Sequence, residues 1–158
     1  LADFEGYPDG VIAFQKAVGN STVVVPWIAP GERSDRAEDW QALGARLGVL
    51  GAKAQAAEMT LLYHNHDFEM GLIDGKTALE WLLDGAGETV DLELDLAWVV
   101  RGGQDPAQML DKFRGRVRRV HVKDIAPEGQ NADEDGWADV GSGTLPWDTL
   151  LSAAEAAG

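Results

Sequence analysis

The feature that most limits how this chain can fold is an alternation of two kinds of segment. Short runs rich in β-branched residues or leucine stand at 21–27 (STVVVPW), 60–66 (TLLYHNH), 90–98 (VDLELDLAW) and 117–123 (VRRVHVK). Between them lie longer stretches with helical spacing. The clearest is 39–58, where Trp40, Leu43, Leu47, Leu50 and Ala54 recur every three or four residues, with Ser34 as a candidate start signal. Further helices are predicted at 9–18, ahead of the first strand, at 77–83, at 106–113, where Pro106 suits a helix start, and at 147–157. A strand followed by a helix and then by another strand about thirty residues on pairs in parallel through a right-handed crossover. The chain is therefore predicted to be α/β, with about four βα units plus a leading helix.

Both a doubly wound sheet and a (β/α)-barrel satisfy that order. Polar residues gather at the C-terminal ends of successive strands, where barrel active sites lie, and no GxGxxG or GxxxxGK[ST] turn follows any strand. The expectation is an incomplete barrel of the TIM type, a single partial domain over 1–158. With 158 residues, 45% of them apolar, the chain can bury a core. Its 27 acidic residues against 13 basic ones leave a net charge of −14, which repels phosphate backbones and anionic membranes. Neither nucleic acid nor a membrane is an expected partner, and no run of 18 apolar residues is present. The absence of cysteine removes disulfides, thiolate ligands and a cysteine nucleophile, and it fits a cytoplasmic protein.

Three segments can carry chemistry. In 63–69 (YHNHDFE), strand alternation puts Leu62, His64 and His66 on one face, with Glu69 in the loop beyond. If that face is the barrel interior, two imidazoles reach the mouth; otherwise the segment is a turn rich in hydrogen-bonding side chains. In 92–98 (LELDLAW), Leu92, Leu94 and Leu96 face the helices and send Glu93 and Asp95 inward, where a carboxylate needs a cation or a donor. A salt-bridged structural Asp95 is the plainer alternative. In 120–124 (VHVKD) the valines pack outward while His121 and Lys123 point inward, although a lone strand histidine is more often a satisfied core residue. Imidazole and carboxylate groups from neighbouring strand ends suit a Zn, Mn, Co or Fe dication. Trp27 and Trp98 also fall at strand ends, and either stack on the C–H face of a sugar or pack under the loops. The Gly-rich stretch 139–147 (DVGSGTLPW) is either an anion nest or a simple turn. Glu93 and Arg119 each lie two residues before a candidate ligand, so alternation predicts an ion pair one layer below the site.

The motifs VVVPW (23–27), YHNHDFE (63–69), LELDLAWV (92–99), GGQDP (102–106), HVKD (121–124) and DVGSGTLPW (139–147) together resemble the sugar phosphate isomerase/epimerase family of xylose-isomerase-like barrels. The resemblance implies one divalent metal at the mouth, with manganese favoured and zinc, cobalt, magnesium or iron as alternatives. That family draws its ligands from its last four strands, usually Glu, Asp, His and Glu. Asp95 and His121 match the middle two, and His64 or His66 stands where the first Glu belongs. By the same resemblance Glu69 and His66 become the candidate proton-transfer groups, Lys123 serves the developing oxyanion or binds a phosphate, and Trp27, Asn65 and Trp98 line the substrate. The last ligand falls on a strand beyond Gly158 and three strands fall ahead of Leu1. The chain thus matches the family from its third helix to the helix before its eighth strand. The implied activity is isomerisation or epimerisation of a keto-sugar or sugar phosphate through an enediolate. The alternatives are dehydration of a keto-inositol or keto-sugar at the same metal, and an inactive, at most sugar-binding, barrel fragment. A barrel-type apurinic endonuclease would need a basic groove, which the net charge opposes. A small carbohydrate is the expected partner, and a homo-oligomer is compatible with that.

Overall fold

A computed structural model describes residues 1–158. The chain opens with α1 (Ala2–Gly6), α2 (Pro8–Ala17), β1 (Thr22–Val25), α3 (Ala37–Ala56) and β2 (Thr60–His64). A small antiparallel hairpin of β3 (Leu72–Ile73) and β4 (Lys76–Thr77) leads into α4 (Ala78–Ala86), β5 (Val90–Asp95), α5 (Leu96–Arg101) and α6 (Pro106–Lys112). Then come β6 (Val117–His121), a second hairpin of β7 (Asp124–Ile125) and β8 (Trp137–Ala138), and α7 (Trp147–Ala157).

The four main strands form one parallel sheet in the order β1-β2-β5-β6, so each new strand is added on the same side of the last. A doubly wound sheet would reverse its direction of growth at a switch point. The unreversed order is an arc of a (β/α)-barrel, with β1 and β6 as its edges. The fold is α/β and a partial barrel, as the alternation implied. A bulge between Leu92 and Glu93 skips Arg118, so that Glu93 faces Arg119 and Asp95 faces His121 across the β5–β6 pair. No helix is long and apolar enough to cross a membrane.

Local chemistry sets where the elements stop. β1 ends at Val25 because Pro26 has no N–H to donate, which leaves Trp27 past the strand. The run 90–98 is not one strand: the Asp95 carboxylate accepts from the Trp98 N–H at 2.9 Å and caps α5, so Trp98 sits on a helix. α3 buries Trp40, Leu43, Leu47, Leu50 and Ala54 as their spacing predicts. It begins at Ala37, however, and Ser34 instead braces the preceding turn, bonding the Arg36 N–H at 3.2 Å and the Asp39 carboxylate at 2.7 Å. α4 is held by a capping box of Thr77 and Glu80, and α6 by Asp105 ahead of Pro106. α3 and α4 meet backbone to backbone: a Cβ added at Gly44 would lie 2.0 Å from the Leu82 carbonyl oxygen, and one at Gly85 2.1 Å from that of Gln41.

Candidate metal centre

The strand registers converge on one spot at the C-terminal end of the sheet. β2 pairs with β5 as far as His64 and Glu93, and β5 pairs with β6 as far as Asp95 and His121. The His121 Nδ1 is 3.0 Å from Asp95 Oδ2, and the His64 Nε2 is 4.0 Å from the same oxygen. The other ring nitrogen of His64, Nδ1, lies 3.4 Å from Glu93 Oε1. One ligand atom each from His64, Glu93 and His121 lies within 4.8 Å of the others. Glu93 therefore joins the cluster rather than sitting a layer below it, because the His64 ring turns its two nitrogens toward two different carboxylates. The expected Glu93–Arg119 pair forms only loosely, at 3.9 Å, with the Arg119 side chain half exposed.

Two atoms of the cluster, His64 Nδ1 and Asp95 Oδ2, are buried without a hydrogen-bond partner. Native proteins satisfy nearly all such atoms, so two unsatisfied ones in a single cluster mark a place for a ligand. Burial, with His66, His121 and Lys123 adding to it, lowers His64 to about 4, so at neutral pH its imidazole is uncharged and free to donate lone pairs. Burial also raises Asp95 above the ordinary carboxylate range, against the hydrogen bond from Trp98 and the nearby cations. The two imidazoles and the Glu93 carboxylate, with Asp95 beside His121, make a donor set that fits a divalent cation.

The neighbours of the cluster depart from expectation. Asn65 is fully buried, and its amide spans the backbone of Asp95: Oδ1 accepts from the Asp95 N–H at 2.8 Å, and Nδ2 donates to the Asp95 carbonyl at 3.2 Å. It adds a rung beyond the end of the β2–β5 ladder. Glu69 is also fully buried. Its carboxylate accepts from the Tyr63 hydroxyl at 2.5 Å and from the His66 N–H at 2.8 Å. Tyr63 alternates with His64 and so belongs to the helix side of β2, which puts Glu69 behind the strand end, closed off from a substrate at the mouth. Burial raises Glu69 to about 7, against those two hydrogen bonds. Of the two candidate histidines, His64 joins the cluster, while His66 lies beside it at 5.1 Å between ring centroids.

His66 is the middle of an aromatic arc. Phe68 stacks on it at 5.7 Å, Trp98 flanks it at 5.1 Å, and Trp137 meets Trp98 edge-on at 4.9 Å. The Lys123 ammonium rests on Trp137 at 3.3 Å and on Trp98 at 4.9 Å, and the Arg101 guanidinium on Trp137 at 3.2 Å. At the other end Arg33 lies over Phe68 at 3.6 Å and over the half-exposed Trp27 at 5.0 Å. Trp98 thus keeps company with His66, Trp137 and Lys123 rather than presenting a bare wall. Trp137, Arg101 and Arg33 had no signal of their own in the sequence beyond being large or charged residues near turns. The Gly-rich stretch 139–147 does wrap an anion, but its own: the Asp124 carboxylate accepts from the N–H groups of Gly141, Gly143 and Leu145 at 2.9, 3.1 and 3.1 Å. Burial opposes charge on Asp124, yet these donors outweigh it and hold the carboxyl below its usual range.

Comparison with known proteins agrees with this architecture. The family profile described as xylose isomerase-like TIM barrel matches residues 10–158. The inosose dehydratase of Clostridium perfringens is 38% identical over 93 residues, which cover 58% of this chain and 30% of that protein. That of Clostridium botulinum is 33% identical over 103 residues, covering 64% of this chain and 34% of that protein. The chain therefore matches about a third of the length of these curated relatives. A crystal structure of a sugar phosphate isomerase/epimerase from Parabacteroides distasonis superposes with a TM-score of 0.81 at 22% identity, over 99% of this chain and 54% of that one. The IolI protein, solved with a bound zinc atom, gives 0.72 at 20% identity, over 99% of this chain and 56% of that one. At such identities the structural matches speak for the fold. With the profile spanning nearly the whole chain and the sheet growing as an arc of a barrel, this chain belongs to the xylose isomerase-like TIM barrel family.

Proposed function

We propose that this chain supplies the metal-binding half of an enzyme that isomerises or epimerises a keto-sugar by moving a proton at the carbon beside its carbonyl. The observation that carries this reading is the convergence of His64, Glu93 and His121, with Asp95 against His121 and with His64 Nδ1 and Asp95 Oδ2 buried without hydrogen-bond partners. Those four residues would hold a divalent cation, manganese or zinc. When bound, the cation supplies Lewis-acid polarisation of the substrate carbonyl and its neighbouring hydroxyl. His66 carries the proton: its Nδ1 is buried and unpaired beside the cluster, and Glu69 fixes its backbone from behind. The Lys123 ammonium, 4.9 Å from the centre of the Trp98 ring, donates to the oxyanion that develops as the proton leaves. Return of the proton to the opposite face gives an epimer, and its return to the next carbon gives an isomer. Trp27 and Trp98 border the space where the sugar lies.

A second reading, dehydration of a keto-inositol or keto-sugar, is favoured by the sequence identity to inosose dehydratases. It uses the same proton abstraction, followed by loss of a hydroxyl from the β carbon. Incubating the barrel protein that carries this chain with manganese and a ketose in D2O separates the two. Deuterium beside the carbonyl together with a new sugar isomer supports the first, and the ultraviolet absorbance of an enone supports the second. Failure to incorporate deuterium from either fructose or a keto-inositol, with no divalent ion bound, would sink both.

A further inference from the structure

One lysine of the chain has only indole faces to hold its charged end. Lys53, Lys76 and Lys112 each reach a carboxylate, and Lys16 donates to the Ala57 carbonyl. The Lys123 ammonium has no such partner. It lies 3.3 Å from the centre of the Trp137 ring and 4.9 Å from that of Trp98. Those two indoles meet edge-on at 80°, so the ammonium sits in the corner they make. The Arg101 guanidinium lies 3.2 Å from the same Trp137 ring centre. Two groups that close to one ring centre cannot share a face without overlapping, so Trp137 is sandwiched between Arg101 and Lys123.

Trp137 is itself part of a braced framework. It stands on β8 opposite Ile125, and Asp124 stands opposite Ala138. The Asp124 carboxylate accepts from the N–H groups of Ile125, Gly141, Gly143 and Leu145. Thr144 donates to the Ile125 carbonyl twice, through its N–H at 2.8 Å and its hydroxyl at 3.1 Å. Beyond the paired residues the Ala126 N–H donates to the Gly136 carbonyl at 2.9 Å, and Arg101 donates to the Asp135 carbonyl. The indole is therefore fixed, whereas a lysine stem is flexible and samples many rotamers. A carboxylate would restrain the ammonium but would also take up its N–H donors and offset its charge. An indole face restrains it through the π electrons and leaves the N–H groups that point away from the ring free for a substrate oxygen.

We propose that Trp137 is a positioning residue, which holds the Lys123 ammonium ready for the developing oxyanion and is backed on its other face by Arg101. The inference rests on the reading that Lys123 serves that oxyanion.

The test uses the barrel protein that carries this chain and has two readouts. The first is proton NMR of the lysine ε-methylenes in the metal-free protein, because a ring current shifts protons above an indole face upfield. The Lys123 signal, assigned by its loss in Lys123→Met, is expected upfield in the parent protein. It should return toward the position of an unstacked lysine in Trp137→Leu and stay largely upfield in Trp137→Phe. The second readout is deuterium exchange from D2O into fructose and into a keto-inositol, with manganese present. Trp137→Leu should lower kcat by about ten- to a hundredfold at nearly constant KM, because a misplaced donor costs stabilisation only in the transition state. Trp137→Phe should restore most of the rate. In a Lys123→Met background Trp137→Leu should change little, since both act through one ammonium. An upfield signal that persists in Trp137→Leu, or an equal loss of kcat in both backgrounds, would overturn the proposal. Parental kcat in Lys123→Met, with the upfield signal lost in Trp137→Leu, removes the role given to Lys123 but supports its placement by Trp137; a persisting signal with a large loss in Lys123→Met does the reverse. If the parent exchanges neither compound, the enzyme reading falls and the signal alone decides the placement.

Discussion

At the scale of single residues, the side chains that matter most to the cluster are ones that never touch its centre. Asn65 is the clearest case. Asn65→Ala would leave the buried N–H and C=O of Asp95 unpaired, which costs about 2–3 kcal/mol by the usual penalty for stranded groups. The same change frees Asp95 to drift from His121, so divalent affinity, read by isothermal titration, should fall together with the urea midpoint. An unchanged midpoint would show that Asn65 does not hold the strand end. Glu69 makes a pH-dependent prediction. Its pKa rises from about 4.5 unfolded to about 7 folded, so the folded state binds the proton more tightly. The stabilisation is fully present below pH 4.5 and is lost as pH rises through 7, an effect of about 3 kcal/mol at most. Glu69→Gln should therefore flatten stability against pH across that window, and the wild-type-minus-variant difference in urea midpoint isolates it from the nearby histidines. Strand alternation put His64 and His66, Glu93 and Asp95, and His121 on one inward face, since that follows from period two, but it could not choose between His64 and His66. It put Glu93 a layer too low, because its place in the cluster depends on which way the His64 ring turns, and it could not show that Asn65 and Glu69 have internal partners.

At the scale of elements, helical spacing placed α2, α3, α4, α6 and α7 to within three residues of their bounds and missed α1 and α5, the two shortest. α3 and α7 lie within two residues of expectation because their apolar stripes are long enough to average out local noise. α5 was invisible as a helix: it has six residues, and Asp95 both ends the strand and caps the helix, so the leucines read as one continuous strand. The sequence left the Gly-rich stretch before α7 open between an anion nest and a simple turn, and only the fold could reveal that its N–H groups hold the Asp124 carboxylate. The contact between α3 and α4 yields a prediction that opposes helix propensity. Ala is favoured over Gly within a helix by about 1 kcal/mol. At Gly44, however, the added methyl would meet the Leu82 carbonyl at 2.0 Å, and backbone cannot step aside. Gly44→Ala should lower stability by about 1–3 kcal/mol, the usual penalty of overpacking. Gly6→Ala, where nothing lies within 4 Å, should be neutral in the same thermal melts. Equal melting temperatures for the two variants would mean that the helices are not in backbone contact.

At the scale of the whole molecule, the decisive fact is that the sheet is an arc. A closed barrel has no edges, whereas this one exposes β1 on one side and β6 on the other, and along β6 Arg118, Arg119 and His121 stand in solvent. The order of strands and the shortage of half a barrel followed from counting βα units; the consequence for behaviour depends on charge. Open parallel edges recruit other strands, but a net charge of −14 pushes copies apart. The balance should turn on salt, since the screening length falls from about 30 Å at 0.01 M to about 3 Å at 1 M. The isolated chain is expected to sediment as a monomer at low ionic strength and to associate with rising concentration in high salt. Placing lysines on the edge strand, as Thr22→Lys with Val24→Lys, should suppress that association, because edge lysines discourage strand addition. The same openness governs the cluster: His121 is half exposed on the edge strand, and solvent competes with any ion there. Divalent binding by this chain should therefore be much weaker than by a barrel whose further strands cover β1 and β6. A monodisperse monomer at every salt and protein concentration, or metal affinity unchanged when the flanking strands are added, would mean that the arc closes itself by other means.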